Sequence, residues 1–171
     1  SPAFIRATRG RVSDLRMDAQ ELCLRFIAFY LRYSPKTGCL ERLSALTRML
    51  DQTILELNSM QEQEAIRFVE LFEKSMDRCH ALLGDCAFSK EGLSYIINKP
   101  LFISWSVIMA GYTVRVEELY SLQAEAIKLH HKYFGEGKYY NAITSSTAAK
   151  KNMEIQFEGV IRILEELFYD R

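Results

Sequence analysis

Apolar residues along this chain return at intervals of three and four rather than two, the spacing that gathers them on one face of an α-helix. Leu15, Ala19, Leu22, Phe26, Phe29 or Tyr30, and Tyr33 form a first stripe, ended by the turn-forming run Ser34-Pro35-Lys36-Thr37-Gly38. Leu43, Leu46, Leu50, Ile54 and Leu57 form a second. Ser59-Met60-Gln61-Glu62 has the form of a capping box, so a break or kink is expected at Asn58-Ser59, with one long helix through that point as the alternative. A third stripe follows: Ala65, Phe68, Leu71 or Phe72, Cys79 and Leu82.

Residues 84–98 are the least helical segment, with two glycines, two serines and Tyr95-Ile96-Ile97 as a candidate short extended piece. Pro100 stands where a first helical turn tolerates it, with Asn98 placed to cap, and the apolar helix it opens runs to about Met109, closed by Gly111. Val116, Leu119, Tyr120, Ala126, Ile127, Leu129 and Tyr133 outline a longer helix that stops at Gly135-Glu136-Gly137. A short helix is expected over Tyr139 to Ala149. Lys150-Lys151-Asn152 then joins it to a last stripe of Met153, Phe157, Val160 or Ile161, Leu164, and Leu167 or Phe168. The pattern is all-α, an irregular multi-helix bundle of six to eight helices. At 171 residues and 49% hydrophobic content the expectation is one helical domain spanning 1–171.

Composition narrows the function classes. Lys+Arg and Asp+Glu are both 22, so no global field draws the protein to nucleic acid or to an anionic membrane. The first sixteen residues depart from that balance: Arg6, Arg9, Arg11 and Arg16 face only Asp14, a cluster able to hold phosphate or, alternatively, to pair with acidic helices. Cys23, Cys39, Cys79 and Cys86 include no Cys-x-x-Cys pair and read as reduced thiols of a cytoplasmic protein, with Cys23 and Cys79 as small core residues. No apolar run reaches the roughly 20 residues that span a bilayer, so no membrane contact is expected. The chain opens Ser1-Pro2 with Phe4 close behind, which suggests a piece of a longer protein.

Catalytic constellations are absent from the sequence pattern. His130 and His131 are adjacent, about 100° apart on a helix, whereas two ligands for one ion sit three or four positions apart. Cys79-His80 with Cys86 lacks a fourth ligand. There is no Gly-x-Ser-x-Gly elbow and no glycine-rich phosphate loop, and Glu117-Glu118 and Glu165-Glu166 suit solvated helix surface. Tyr120, Tyr133, Tyr139 and Tyr140 offer stacking surfaces or core packing. No metal, cofactor or self-contained enzyme activity is expected.

Arg16-Met17-Asp18, Glu21-Leu22, and Leu24-Arg25-Phe26 with Ala28-Phe29 form a pattern that resembles the opening of the helical part of the domain-of-unknown-function 262 family, which includes restriction-like phage-defence proteins of the GmrSD type. Phe4-Ile5-Arg6-Ala7-Thr8, Gly84-Asp85-Cys86-Ala87-Phe88 and Asn98-Lys99-Pro100-Leu101-Phe102 are similar to further segments of that family in the same order. Thr144 to Thr147 and the last helix lie where it carries a threonine before an arginine-bearing helix, with Gln156 or Arg162 standing for that arginine. In that family the helical part follows a ParB-like domain whose Asp-Gly-Gln-Gln-Arg motif is associated with nucleotide hydrolysis. That motif does not occur in this chain. The resemblance implies a non-catalytic helical half that packs on a ParB-like domain and positions DNA or a second subunit, a homo-oligomer included. Arg16, Asp18, Glu21 and Arg25 carry the motif. An internal ion pair between Arg25 and a residue such as Glu21 is the structural alternative.

Overall fold

A helix that is apolar on every side must be surrounded, and the run from Leu101 to Ala110 is such a helix: all ten side chains are buried. The computed structural model describes residues 1–12, 17–90 and 96–169. Among them are eight α-helices, in chain order α1 (Pro2–Thr8), α2 (Asp18–Tyr30), α3 (Leu46–Ser59), α4 (Glu62–Leu83), α5 (Lys99–Gly111), α6 (Val116–Phe134), α7 (Gly137–Thr144) and α8 (Lys150–Tyr169). The all-α architecture expected from periodicity is what forms. Helices α2, α4 and α8 pack directly on α5; α6 lies against α4 and α8, α7 against α8, α1 against α4, and α3 against α2.

The start of α5 follows its sequence. Asn98 Oδ1 accepts from the Leu101 amide at 2.9 Å, and Pro100 occupies a first-turn position whose missing N–H has no intrahelical partner to lose. The Asn98 amide group also donates to the Ile143 carbonyl at 2.9 Å, so the same residue ties α5 to the end of α7. Phe102 projects into an aromatic cluster built from four separate parts of the chain. Its ring centroid lies 4.8 Å from Phe88, 6.1 Å from Phe4 and 6.3 Å from Phe72, and Phe26 meets Phe72 at 5.1 Å.

Elsewhere the structure departs from the periodic reading. Helix α2 stops at Tyr30, and the chain pairs with itself as a short antiparallel hairpin, β1 (Tyr33–Ser34) with β2 (Cys39–Leu40), in the register Tyr33 to Leu40 and Ser34 to Cys39. Gly38, at φ +65, makes the tight return possible. A break does separate α3 from α4, but no capping box forms there. Met60 and Gln61 are extended, so Gln61 becomes the residue ahead of α4, while the Ser59 hydroxyl turns back to donate to the Glu56 carbonyl at 2.9 Å. The buried face of α3 is Met49 and Thr53, one position away from the expected Leu50 and Ile54, because α3 turns a polar contact toward Arg32.

Lys150, Lys151 and Asn152 are not a linker. They form the first turn of α8, and Asn152 Nδ2 fastens the preceding turn by donating to the Ser145 and Ser146 carbonyls at 3.0 and 3.1 Å. Ile96 and Ile97 form no strand, and Leu15 and Tyr95 lie outside the described residues.

Helix α8 carries Gly159 in its interior, where glycine costs roughly 1 kcal/mol of helix stability relative to alanine. The reason is proximity: a Cβ there would run into the Tyr139 ring of α7, a buried aromatic body with no room to swing. Gly159→Ala is therefore expected to destabilise the fold by about 1–3 kcal/mol despite the better helix propensity. Tyr139→Phe removes a buried hydroxyl without a partner and is expected to be neutral or mildly stabilising. Urea unfolding of both variants checks this pair of signs.

Candidate functional site

The N-terminal arginines are drawn onto the acidic side of α4 and the turn after it. Arg6 Nη2 lies 2.7 Å from Asp77 Oδ1, and Arg9 Nε lies 3.4 Å from Asp85 Oδ1. Arg9 ends α1 in the left-handed region, at φ 56, and its amide and that of Gly10 close the helix by donating to Arg6 and Ile5 carbonyls. Arg11 is close enough to Cys86 to lower the thiol's pKa slightly, against the larger effect of burial, which raises it. Arg16 lies outside the described residues. The pairing of Arg6 and Arg9 with carboxylates offsets part of the positive charge they would offer a phosphate.

The motif residues of α2 meet the motif at the start of α5. Glu21 accepts from Arg25 Nε at 2.7 Å, one helical turn on, and from Lys99 Nζ at 2.7 Å. The Lys99 hydrogen bond, with Arg25 adding to it, holds the Glu21 carboxyl below its usual range although partial burial pushes the other way. Asp18 opens α2, where its charge complements the helix N-terminus. Of the two stand-ins for the family's arginine, Gln156 is buried and donates to the Ala142 and Thr147 carbonyls at 2.7 and 3.0 Å. Arg162 makes a two-pronged contact with Glu136 at 3.0 and 3.2 Å and lies over the Tyr133 ring. These contacts tie α8 to α6, to α7 and to the turns on either side of α7.

The two histidines of the adjacent pair sit in opposite surroundings. His130 is fully buried against Trp105 and Phe134, with centroids at 5.6 and 4.5 Å, while His131 is exposed. Among the described residues no group of three or more His, Cys, Asp or Glu side chains could hold a metal ion, and no helix is long and apolar enough to cross a membrane. Tyr133 and Tyr139 are core residues, whereas Tyr120 and Tyr140 keep exposed faces. Cys79 is buried, its thiol pushed up by desolvation. A recess of about 920 Å³ between the hairpin, the end of α5 and α8 has no histidine in its lining, and the Cys39 thiol there donates to the Thr37 carbonyl.

Sequence reasoning missed a second basic group. The hairpin and α3 bring Arg32, Arg42 and Arg48 to one cleft of about 600 Å³, with Ser44, Gln52 and Glu56 beside them. In the sequence these arginines are scattered over seventeen positions and follow no motif. The available signal was their position, since Arg32 and Arg42 lie in the stretch between two helices and Arg48 in the first turn of the second. Compared with known proteins, the chain matches no family model, no curated protein and no solved structure.

Burial of His130 has a consequence for acid stability. Desolvation, assisted by His131 and only weakly opposed by the Ser89 backbone, lowers its pKa to about 3, against an ordinary value of 6.5. The folded state thus refuses a proton that the unfolded state accepts, so stability is complete above pH 6.5 and is lost as pH falls from there toward 3. Wild type is expected to lose about 1.4 kcal/mol per pH unit more than His130→Leu across that window. Parallel urea titrations at several pH values measure the difference.

Proposed function

We propose that this chain is a non-catalytic helical domain of a prokaryotic restriction-like phage-defence protein, packing on a ParB-like nucleotide-hydrolysing domain and making an accessory contact with DNA. The observation that carries the reading is the convergence of the segments on which the family resemblance rests. Phe4, Phe26 and Phe102 meet around Phe72 and Phe88 packs on Phe102, four such segments in one cluster, and Glu21 of one segment pairs with Lys99 of another. Segments shared for a common fold are expected to meet in its core. Residues that instead lined a recess with a nucleophile and a base would have argued for an enzyme.

Aliphatic side chains left in solvent supply a surface for the partner domain. Leu55 is 68% exposed on α3 and Val69 57% exposed on α4, with Ile54 next to the first and Ile66 three positions before the second, both also exposed. The same residues favour a second reading, a stand-alone helical module for protein–protein interaction. Of the arginines proposed for the DNA contact, Arg6 and Arg9 already pair with Asp77 and Asp85, so the contact is expected to be weak and sensitive to salt.

Reading the gene upstream of the Ser1 codon separates the two. An in-frame Asp-Gly-Gln-Gln-Arg segment supports the accessory domain; a start codon immediately upstream overturns it in favour of the stand-alone module. The isolated chain is expected to release no phosphate from ATP or GTP above background, and clear turnover would overturn the non-catalytic assignment.

A further inference from the structure

The cleft between the hairpin and α3 has the makings of an anion site. Arg32 follows α2 and is only 6% exposed, a guanidinium held in place by its Nη1 donating to the Ala28 carbonyl at 2.8 Å and to Thr53 Oγ1 at 3.2 Å. The hairpin register then fixes what stands beside it. With Tyr33 opposite Leu40, the next pair outward is Arg32 and Glu41, joined by the Glu41 amide donating to the Arg32 carbonyl at 2.7 Å. Arg42 comes directly after, in the left-handed region at φ 53, a conformation that a residue with a side chain rarely adopts. That turn redirects the chain into α3, whose face presents Arg48, Gln52 and Glu56 at successive turns along the same cleft.

Charge in the cleft is unbalanced. Three guanidiniums face one carboxylate, Glu56, whose approach to Arg32 is long at 3.8 Å, which leaves two positive charges in excess. Among the described residues Arg42 and Arg48 have no ion-pair partner. The Ser44 hydroxyl lining the cleft is buried without a hydrogen-bond partner. It is separated from Leu46, the first residue of α3, by Ala45 and makes no side-chain cap on that helix. A buried and oriented arginine, two unpaired arginines and an unused hydroxyl together match a dianion with several acceptor oxygens.

We propose that this cleft binds the phosphoryl group of a small phosphorylated ligand. Arg32 is the fixed anchor, Arg42 and Arg48 close over the phosphoryl oxygens, and the Ser44 hydroxyl donates to one of them. Two excess positive charges suit the ~1.5–2 negative charges of a phosphate monoester better than a single carboxylate. Glu56 opposes the anion and sets an upper bound on affinity. A cleft of about 600 Å³ admits a sugar phosphate or a nucleotide, while a rigid duplex would reach only its rim. The proposal is independent of the family reading given above.

Calorimetric titration of the full chain with inorganic phosphate, glucose 6-phosphate and ATP, each against sodium chloride of equal ionic strength, tests it. Binding is expected for at least one, with free phosphate and the esters ranked by the same experiment. The double variant R42Q/R48Q should weaken binding at least tenfold with an unchanged circular dichroism spectrum and Tm in chloride. E56Q should tighten it several-fold, which a merely structural arginine cluster would not do. No heat with any of the three at millimolar concentration, or equal affinity in R42Q/R48Q, overturns the proposal. So does binding of a short DNA duplex alone, which would make the cleft part of a nucleic-acid surface.

Discussion

Everything in this fold is arranged to cover α5. Ten consecutive buried residues leave that helix without a solvent face, and the neighbours it needs cannot come from adjacent sequence alone. Helices on both sides of it in the chain are recruited, α2 and α4 from before and α8 from after. Burying a full helical circumference removes far more apolar surface from water than one amphipathic face could. At about 25 cal/mol per Å² this is the dominant favourable term. The ion pairs and caps around it decide geometry more than stability.

The polar contacts divide accordingly. Glu21, Lys99 and Arg25 fix how α2 meets the start of α5, and Asn98 fixes how α5 meets the end of α7. Gln156, Asn152 and Arg162 do the same for the α7–α8 corner. Most of these pairs are half-exposed, where an ion pair contributes on the order of 0–1 kcal/mol. Their use is in selecting one orientation among several that the apolar core alone would accept. The arginines between the hairpin and α3 differ, since two of them hold no helix in place through an ion pair.

Helix existence was legible because a stripe at three and four needs only local residues. The start of α5 was legible for the same reason: Asn98 and Pro100 act within one turn. What the pattern could not show are outcomes of tertiary geometry. The two-residue strands at Tyr33 and Cys39 are too short to alternate visibly, so Tyr33 read as the end of a helical stripe. Ser59 looked like a cap because its spacing to Glu62 is right, but an extended Met60 moved the helix start to the far side of Gln61. The Arg25–Glu21 pair was readable from i to i+4 spacing, whereas Lys99, 78 positions away, was not. The arginine cleft belongs to the same class, since it exists only once the hairpin register has been set.

Helix α1 shows what such a long-range core asks of the chain as it is made. Phe4 rests on Phe72 and Phe102, so the first helix lacks a packing surface until α4 has been made and lacks the rest of it until α5 follows. During that interval a seven-residue helix, too short to persist alone, remains an apolar and basic stretch open to other surfaces. Docking of α1 is then a late, sequence-distant closure. Attachment of α1 therefore depends on α4 having already formed.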